Sequence, residues 1–401
     1  MVQTESDSDF SLRRIAVPAF GPSVLYGVSN GAILPVIALS ARELGASVAV
    51  AGLVTALVGI GSLVSNIPAG WIAARYGERR ALTQAAGFSS AALVLCAMAP
   101  HLAALALGVF MVGMATAVFL LARQAYLADV VPLHLRARAM STLGGSTRIG
   151  VFIGPFLGAG AIHFLGLAGA YWVALAAMLG AGLIAHFAPD VTGPGQPAGA
   201  SPGAGRRAST RDVLRSHGRV FLTLGLGVLL VGAVRSSRQI VIPLWAEHLA
   251  MSPTVIALVY GLVSAIDMLM FYPAGKVMDQ WGRQWVVLPS TLLMGAALVL
   301  LPLTTTPLAF VLVALVLGFG NGIGSGIIMT LAADAAPSEG RNAFLGVWRL
   351  MSDIGNSGGP ALLAAIAGLA SLAAGIGTIG LFGLLSTLVF WRWIPRRPGL
   401  H

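Results

Sequence analysis

Charge is what this sequence lacks most. Asp, Glu, Lys and Arg make up 9% of its residues, against about 25% in soluble domains. So few charges cannot cover the surface of a large soluble enzyme in water. Cysteine is nearly absent as well. The one copy, Cys96, lies inside an apolar run, which rules out a disulfide and a cysteine metal centre. The seven histidines show no metal-ligand spacing, so no metal site is expected. Gly318, Gly320, Gly322 and Gly324 sit within an apolar run, not after a strand. They read as packing glycines and not as a phosphate loop. With no nucleotide motif, no cofactor is expected, and an ion gradient is the expected energy source. The net charge of +10 does not imply nucleic acid, because the basic residues fall in short runs between apolar segments and not on one face.

What the chain has is apolar length. Of its residues, 57% are hydrophobic. About 20 apolar residues cross a bilayer as a helix, and twelve such runs are present: 14–39, 48–73, 80–99, 102–127, 139–165, 168–188, 219–245, 252–278, 285–304, 307–331, 343–368 and 372–393. They are too long, and alternate too little, for a β-barrel. An all-α, multi-pass membrane protein follows. Residues 1–10 are polar and acidic and do not read as a cleaved signal peptide. With both termini in the cytoplasm, eighteen basic residues fall on the inner side and one, Arg42, on the outer. The positive-inside rule therefore sets the orientation, in what is expected to be a prokaryotic plasma membrane.

The sequence also repeats itself. Pro68-Ala69-Gly70 returns as Pro273-Ala274-Gly275, 205 positions later (68 against 273). Asp129, Gly150 and Gly154-Pro155 return as Asp334, Gly355 and Gly359-Pro360 at the same shift. A constant offset over so long a stretch means two parallel copies of one helical unit. The expected division is 1–188 for a first six-helix bundle, 189–217 for a cytoplasmic linker and 218–401 for a second bundle. The linker is rich in Gly and Pro and ends in a basic stretch with Arg206, Arg207, Arg211 and Arg215. That end reads either as an amphipathic helix on anionic lipid or as a solvated tether.

Twelve helices, a 6+6 duplication, a long middle loop and the Gly-x-x-x-x-Arg-x-Gly hinge resemble the major facilitator superfamily. The hinge is carried by Gly70, Arg75, Gly77 and Arg79, and again by Gly275, Asp279, Gly282 and Arg283. The first copy departs from the family pattern, with Ala74 at the acidic position. The resemblance implies a cytoplasmic latch, with Arg283 paired to Asp334, Asp279 facing a helix N-terminus of the other half, and Asp129 near Arg75 or Arg79. Ser141, Gly150, Gly154, Pro155, Gly158 and Ala159 resemble the glycine pattern of the antiporter branches. There the resemblance implies close interdomain helix packing. The arginine common early in the fourth helix of drug/proton antiporters is missing, since Val109 stands there.

Ionisable residues within the apolar runs are costly and point to a cavity. Arg148, Asp267, Arg235, Arg238, Arg349 and Asp353 lie in this zone, and Tyr26 and Asn30 complete the expected cavity. Arg148 is expected to pair with Asp267, and Arg349 with Asp353 along one helix face. Asp267 and Asp353 are the candidate proton carriers, with static ion pairs as the alternative. Arg123 reads as snorkelling to the inner interface. The sum is a secondary transporter, a monomer in the lipid bilayer, that couples protons to efflux of a small amphipathic substrate. Uptake or exchange of an organic anion, and a non-transporting member of the same fold, stay open.

Overall fold

The computed structural model describes residues 16–131, 135–187, 210–337 and 340–394. Every regular element among them is helical. A helix satisfies its own backbone donors and acceptors, which lipid cannot do. In the first half these are α1 (Ala16–Glu43), α2 (Val48–Tyr76), α3 (Glu78–Ala97), α4 (Leu102–Val130), α5 (Arg136–Leu165) and α6 (Ala168–Phe187). The second half has α7 (Thr210–Val220), α8 (Leu226–His248), α9 (Pro253–Trp281), α10 (Gln284–Leu300), α11 (Pro307–Ile323), α12 (Ile327–Ala335), α13 (Arg341–Leu369) and α14 (Leu372–Trp393).

Among the described residues, ten spans are long and apolar enough to cross a membrane. The other two expected runs are α3 and α13. Both have the length but carry charge, as Glu78, Arg79 and Arg80 in α3 and Arg341, Arg349 and Asp353 in α13. Two spans are built differently from expectation. The seventh begins early, as α7, and joins α8 through a π-helical turn at Phe221–Gly225. The tenth is broken into α11 and α12 at residues 324–326, where Gly326 adopts φ 86°. Of the linker, residues 189–209 lie outside the described residues, and 210–217 are helical.

Helix ends are made in two ways. Ser252, Thr306 and Ser371 cap α9, α11 and α14 with side-chain oxygens, and His101 caps α4 through Nδ1 at 3.1 Å. The repeated hinges instead turn on a single glycine. Gly77 has φ 79° and ψ 158°, and Gly282 has φ 97° and ψ 168°. Only glycine occupies that region without strain, so the hinge motif is a backbone requirement as well as a charge pattern.

The duplication is visible in how helices touch. A Cβ on Gly150 would strike the carbonyl of Val24, and one on Gly355 the carbonyl of Leu229. Gly154 meets Val28 as Gly359 meets Ala233, and Gly113 meets Val58 as Gly318 meets Val263. Each contact recurs at the 205-residue shift. Small residues let helix backbones approach where lipid offers no hydrophobic drive.

These contacts correct one expectation. Gly150, Gly154 and Gly158 of α5 pack against α1, on Gly27, Gly31 and Ala32 of their own half, with Pro155 against Gly31. The partner surface is intradomain because α1 supplies matching glycines. One compact unit is 1–37 with 57–200, and the other is 38–56 with 201–401. The end of α1 and the start of α2 therefore belong with the second unit. There Arg42 Nε meets Glu247 at 3.1 Å, and Gly52 abuts Ala364.

Candidate functional site

Asp267, on α9 of the second unit, has a side chain 14% exposed. Its Oδ2 accepts from Asn321 Nδ2 at 2.7 Å and faces Arg238 Nη2 at 3.4 Å. Gly322 lets α11 close on the backbone of Asp267, which brings Asn321 within reach. A carboxylate in a membrane span is tolerated when so held. Asn321 was not anticipated. It stood among glycines that read as packing, and its only signal was an uncharged amide in an apolar run.

Arg235 and Arg238 lie three apart on α8 but do different work. Arg238 reaches Asp267, whereas Arg235 donates to the carbonyl of Gly324 at the break between α11 and α12. Ser290 Oγ donates to the Gly320 carbonyl nearby, at 2.7 Å. The end of α11 exposes carbonyls and a partial negative charge, and a guanidinium suits both. Arg235 thus holds a discontinuous helix, a device that transporters place at substrate and ion sites.

Arg349 and Asp353 approach at 3.8 Å along α13. The Arg349 side chain is 67% exposed, so this pair is far less enclosed than Arg238–Asp267. Arg148 stands on α5 in the first unit and Asp267 in the second, and Asp267 has two partners within its own unit.

In the first unit, Asn30 Nδ2 donates to the Tyr26 carbonyl at 3.5 Å. Tyr26 is buried and stacks on Phe119 at 5.0 Å between ring centroids. Arg123 overturns its reading as a snorkelling residue. It is 8% exposed, bonded to Thr147 Oγ1 at 2.6 Å, and its guanidinium lies 5.5 Å from the Tyr26 ring centroid. The helix runs on to Val130, about 10 Å further, so Arg123 is deeper than the apolar run implied.

At the repeated hinges, Arg283 Nε donates to Asp334 Oδ2 at 2.9 Å, and its Nη1 to the Met278 carbonyl at 3.2 Å. Asp279 is 4.0 Å from the same guanidinium. The hydrogen bond that Arg283 donates to Asp334 holds its pKa above the ordinary arginine range. In the first copy the Asp129 side chain lies outside the described residues. Arg75 there stacks over Trp71 and Tyr76, at 5.3 and 5.9 Å. No cluster of metal-ligating side chains occurs among the described residues.

Two parallel helical repeats, each with ionisable side chains sunk among apolar helices and one with a broken span, define a membrane transport protein and not an enzyme. The chain belongs to the major facilitator superfamily, whose model matches residues 21–234 and 224–401. It is 24% identical over 345 residues to a "Na(+), Li(+), K(+)/H(+) antiporter" of Planococcus maritimus, covering 79% of this chain and 80% of that one. Its fold is similar to a D-xylose–proton symporter (TM-score 0.72, 17% identity, 96% and 98% of the two chains). A bacterial homolog of the human lysosomal transporter Spinster gives a TM-score of 0.77 at 15% identity, over 97% and 99%.

Proposed function

We propose that this transporter couples proton movement to export of a small amphipathic compound across a plasma membrane, by alternating access, with both termini cytoplasmic. The observation that carries the reading is Asp267, held by Arg238 and Asn321 inside a membrane-spanning helix. Protonation removes its charge and releases Arg238, while deprotonation restores the pair. Buried carboxylates in such surroundings act as proton relays. Asp353, beside the more exposed Arg349, is the weaker candidate.

A second reading, exchange of alkali cations for protons, is favoured by the activity that names the Planococcus maritimus relative. Proteoliposomes loaded with a pH-sensitive dye separate the two. Under an imposed pH gradient, addition of cationic ethidium, anionic 1-naphthoate, NaCl or KCl reports which compound moves protons. Asp267→Asn is expected to reduce that proton flux at least tenfold, and Asp353→Asn less than threefold. Unchanged coupling in Asp267→Asn overturns the assignment. A response to the salts but to neither amphipathic compound replaces export with cation exchange.

A further inference from the structure

A second polar site lies in the first unit, around Arg123, and the proton reading makes no use of it. A guanidinium has five N–H donors. Among the described residues, Arg123 makes one hydrogen bond, from Nη1 to Thr147 Oγ1 at 2.6 Å. Its Nε is buried with no hydrogen-bond partner. No carboxylate among the described residues lies within ion-pair distance of it. Thr147 Oγ1 has its own proton committed to the Leu143 carbonyl, at 3.1 Å. The remaining support is the face of Tyr26, itself backed by Phe119. A ring face attracts a cation but does not neutralise it. A buried guanidinium left this way is costly, and the cost falls when an anion completes it.

The packing of the fold does not demand this charge. The residue 205 positions on from Arg123 is Ile328, and the counterpart of Tyr26 is Val231. At these two positions the second copy of the same helical unit is thus built without cation or ring. A charge at this position of the repeat occurs in one half alone, which points to a task other than joining helices.

The geometry also narrows the anion. Nη1 is taken by Thr147, so the edge that carries Nε is the one left over. Side-on pairing through Nε and Nη2 offers two parallel N–H groups, which match the two oxygens of a carboxylate. The Tyr26 ring underlies the guanidinium and is backed by Phe119, so the immediate surroundings are aromatic and suit an apolar body. We propose that Arg123 binds the carboxylate of the transported compound, with Tyr26 against its apolar part, so that the substrate class is an amphipathic organic acid. This rests on the reading of the chain as a substrate-carrying transporter, but not on Asp267 being the proton site.

The test uses the full-length protein in phosphatidylcholine nanodiscs, where no anionic headgroup competes. The probes are 1-naphthoate and its neutral isostere 1-naphthamide, with binding measured by calorimetry. The wild type is expected to prefer the carboxylate at least tenfold. Arg123→Gln is expected to erase that preference while amide binding changes less than twofold. Arg123→Lys keeps the charge without the planar fork and should lower the preference about threefold or more. The lysine variant keeps the site cationic, so it still reads the fork if the glutamine variant does not fold. Equal binding of the two probes by the wild type, or an unchanged preference in both variants, overturns the proposal. Asp267→Asn should keep the preference. Loss of proton coupling with the preference intact supports both readings. Coupling retained in that variant sinks the proton assignment alone.

Discussion

Gly150 in the first half and Gly355 in the second clamp the same two helices of the repeat, yet the polar groups that neighbouring helices bring into each half differ completely. In the second half Arg238 faces a carboxylate that an amide of the same unit also holds. In the first, Arg123 faces a hydroxyl and a ring. Even the polar counterparts diverge, since Asn321 of the second half stands where the first has Thr116. Duplication preserved backbone-to-backbone contacts, where any added atom collides. It released the side chains that face each other across a few ångströms of polar interior. The scaffold is shared, and the chemistry belongs to each half separately.

The shared part of this comparison breaks most severely under substitution. Gly150→Val and Gly355→Val each drive a side chain into a carbonyl of the neighbouring helix. Overpacking costs about 1–3 kcal/mol where side chains can shift, and more where, as here, the obstacle is a backbone carbonyl that cannot turn aside. Both variants are expected to lose most of their folded yield in detergent, and to similar extents. Gly87→Val, at a position with open space, should melt like the wild type. A large difference between the two halves in thermal-shift measurements would mean that the repeat contacts are not equivalent.

The unshared part is sharpened by Arg238. Removing one member of a buried pair costs about 3–5 kcal/mol, because the other charge stays behind. Arg238→Gln should therefore lower the melting temperature more than the double variant Arg238→Gln, Asp267→Asn. Neither should show proton-coupled flux. Equal destabilisation of single and double variants would mean that Arg238 and Asp267 do not act as a pair.

The sequence disclosed the scaffold and missed parts of the chemistry, for physical reasons. Twelve apolar runs and a constant offset are long-range patterns, and they predicted the helices and the duplication. The glycines of α5 were visible too, but sequence could not say which surface they face. Only the matching Gly27 and Gly31 decide that. Asn321 was hidden because an amide has no charge to count, and the break at residues 324–326 because glycine is common inside membrane helices. Arg123 lies deeper than its apolar run indicates, because that run stops short of the helix end at Val130. The Arg283–Asp334 pair could be read because both partners sit in repeated motifs.

The glycine hinges come next in size. Gly77→Ala and Gly282→Ala force a side chain into a backbone region that costs about 1–3 kcal/mol. Both should lower the melting temperature by comparable amounts. A change in only one hinge would show that the loop can relax around the strain in the other half.

The smallest expected effect concerns the charges at those same hinges. Arg283 is one-third exposed and Asp334 about half exposed. Pairs so open to solvent are worth about 1 kcal/mol or less, and salt screens them. Arg283→Gln should shift the melting temperature by no more than a few degrees at low salt, and by less at 0.5 M NaCl. Arg75 stacks on Trp71 and Tyr76, and Arg75→Gln should show a loss that salt hardly alters, because a ring face is not screened as a carboxylate is. If the two arginines respond alike to salt, the hinges share one kind of contact after all, and the contrast between the halves does not extend to this side of the protein.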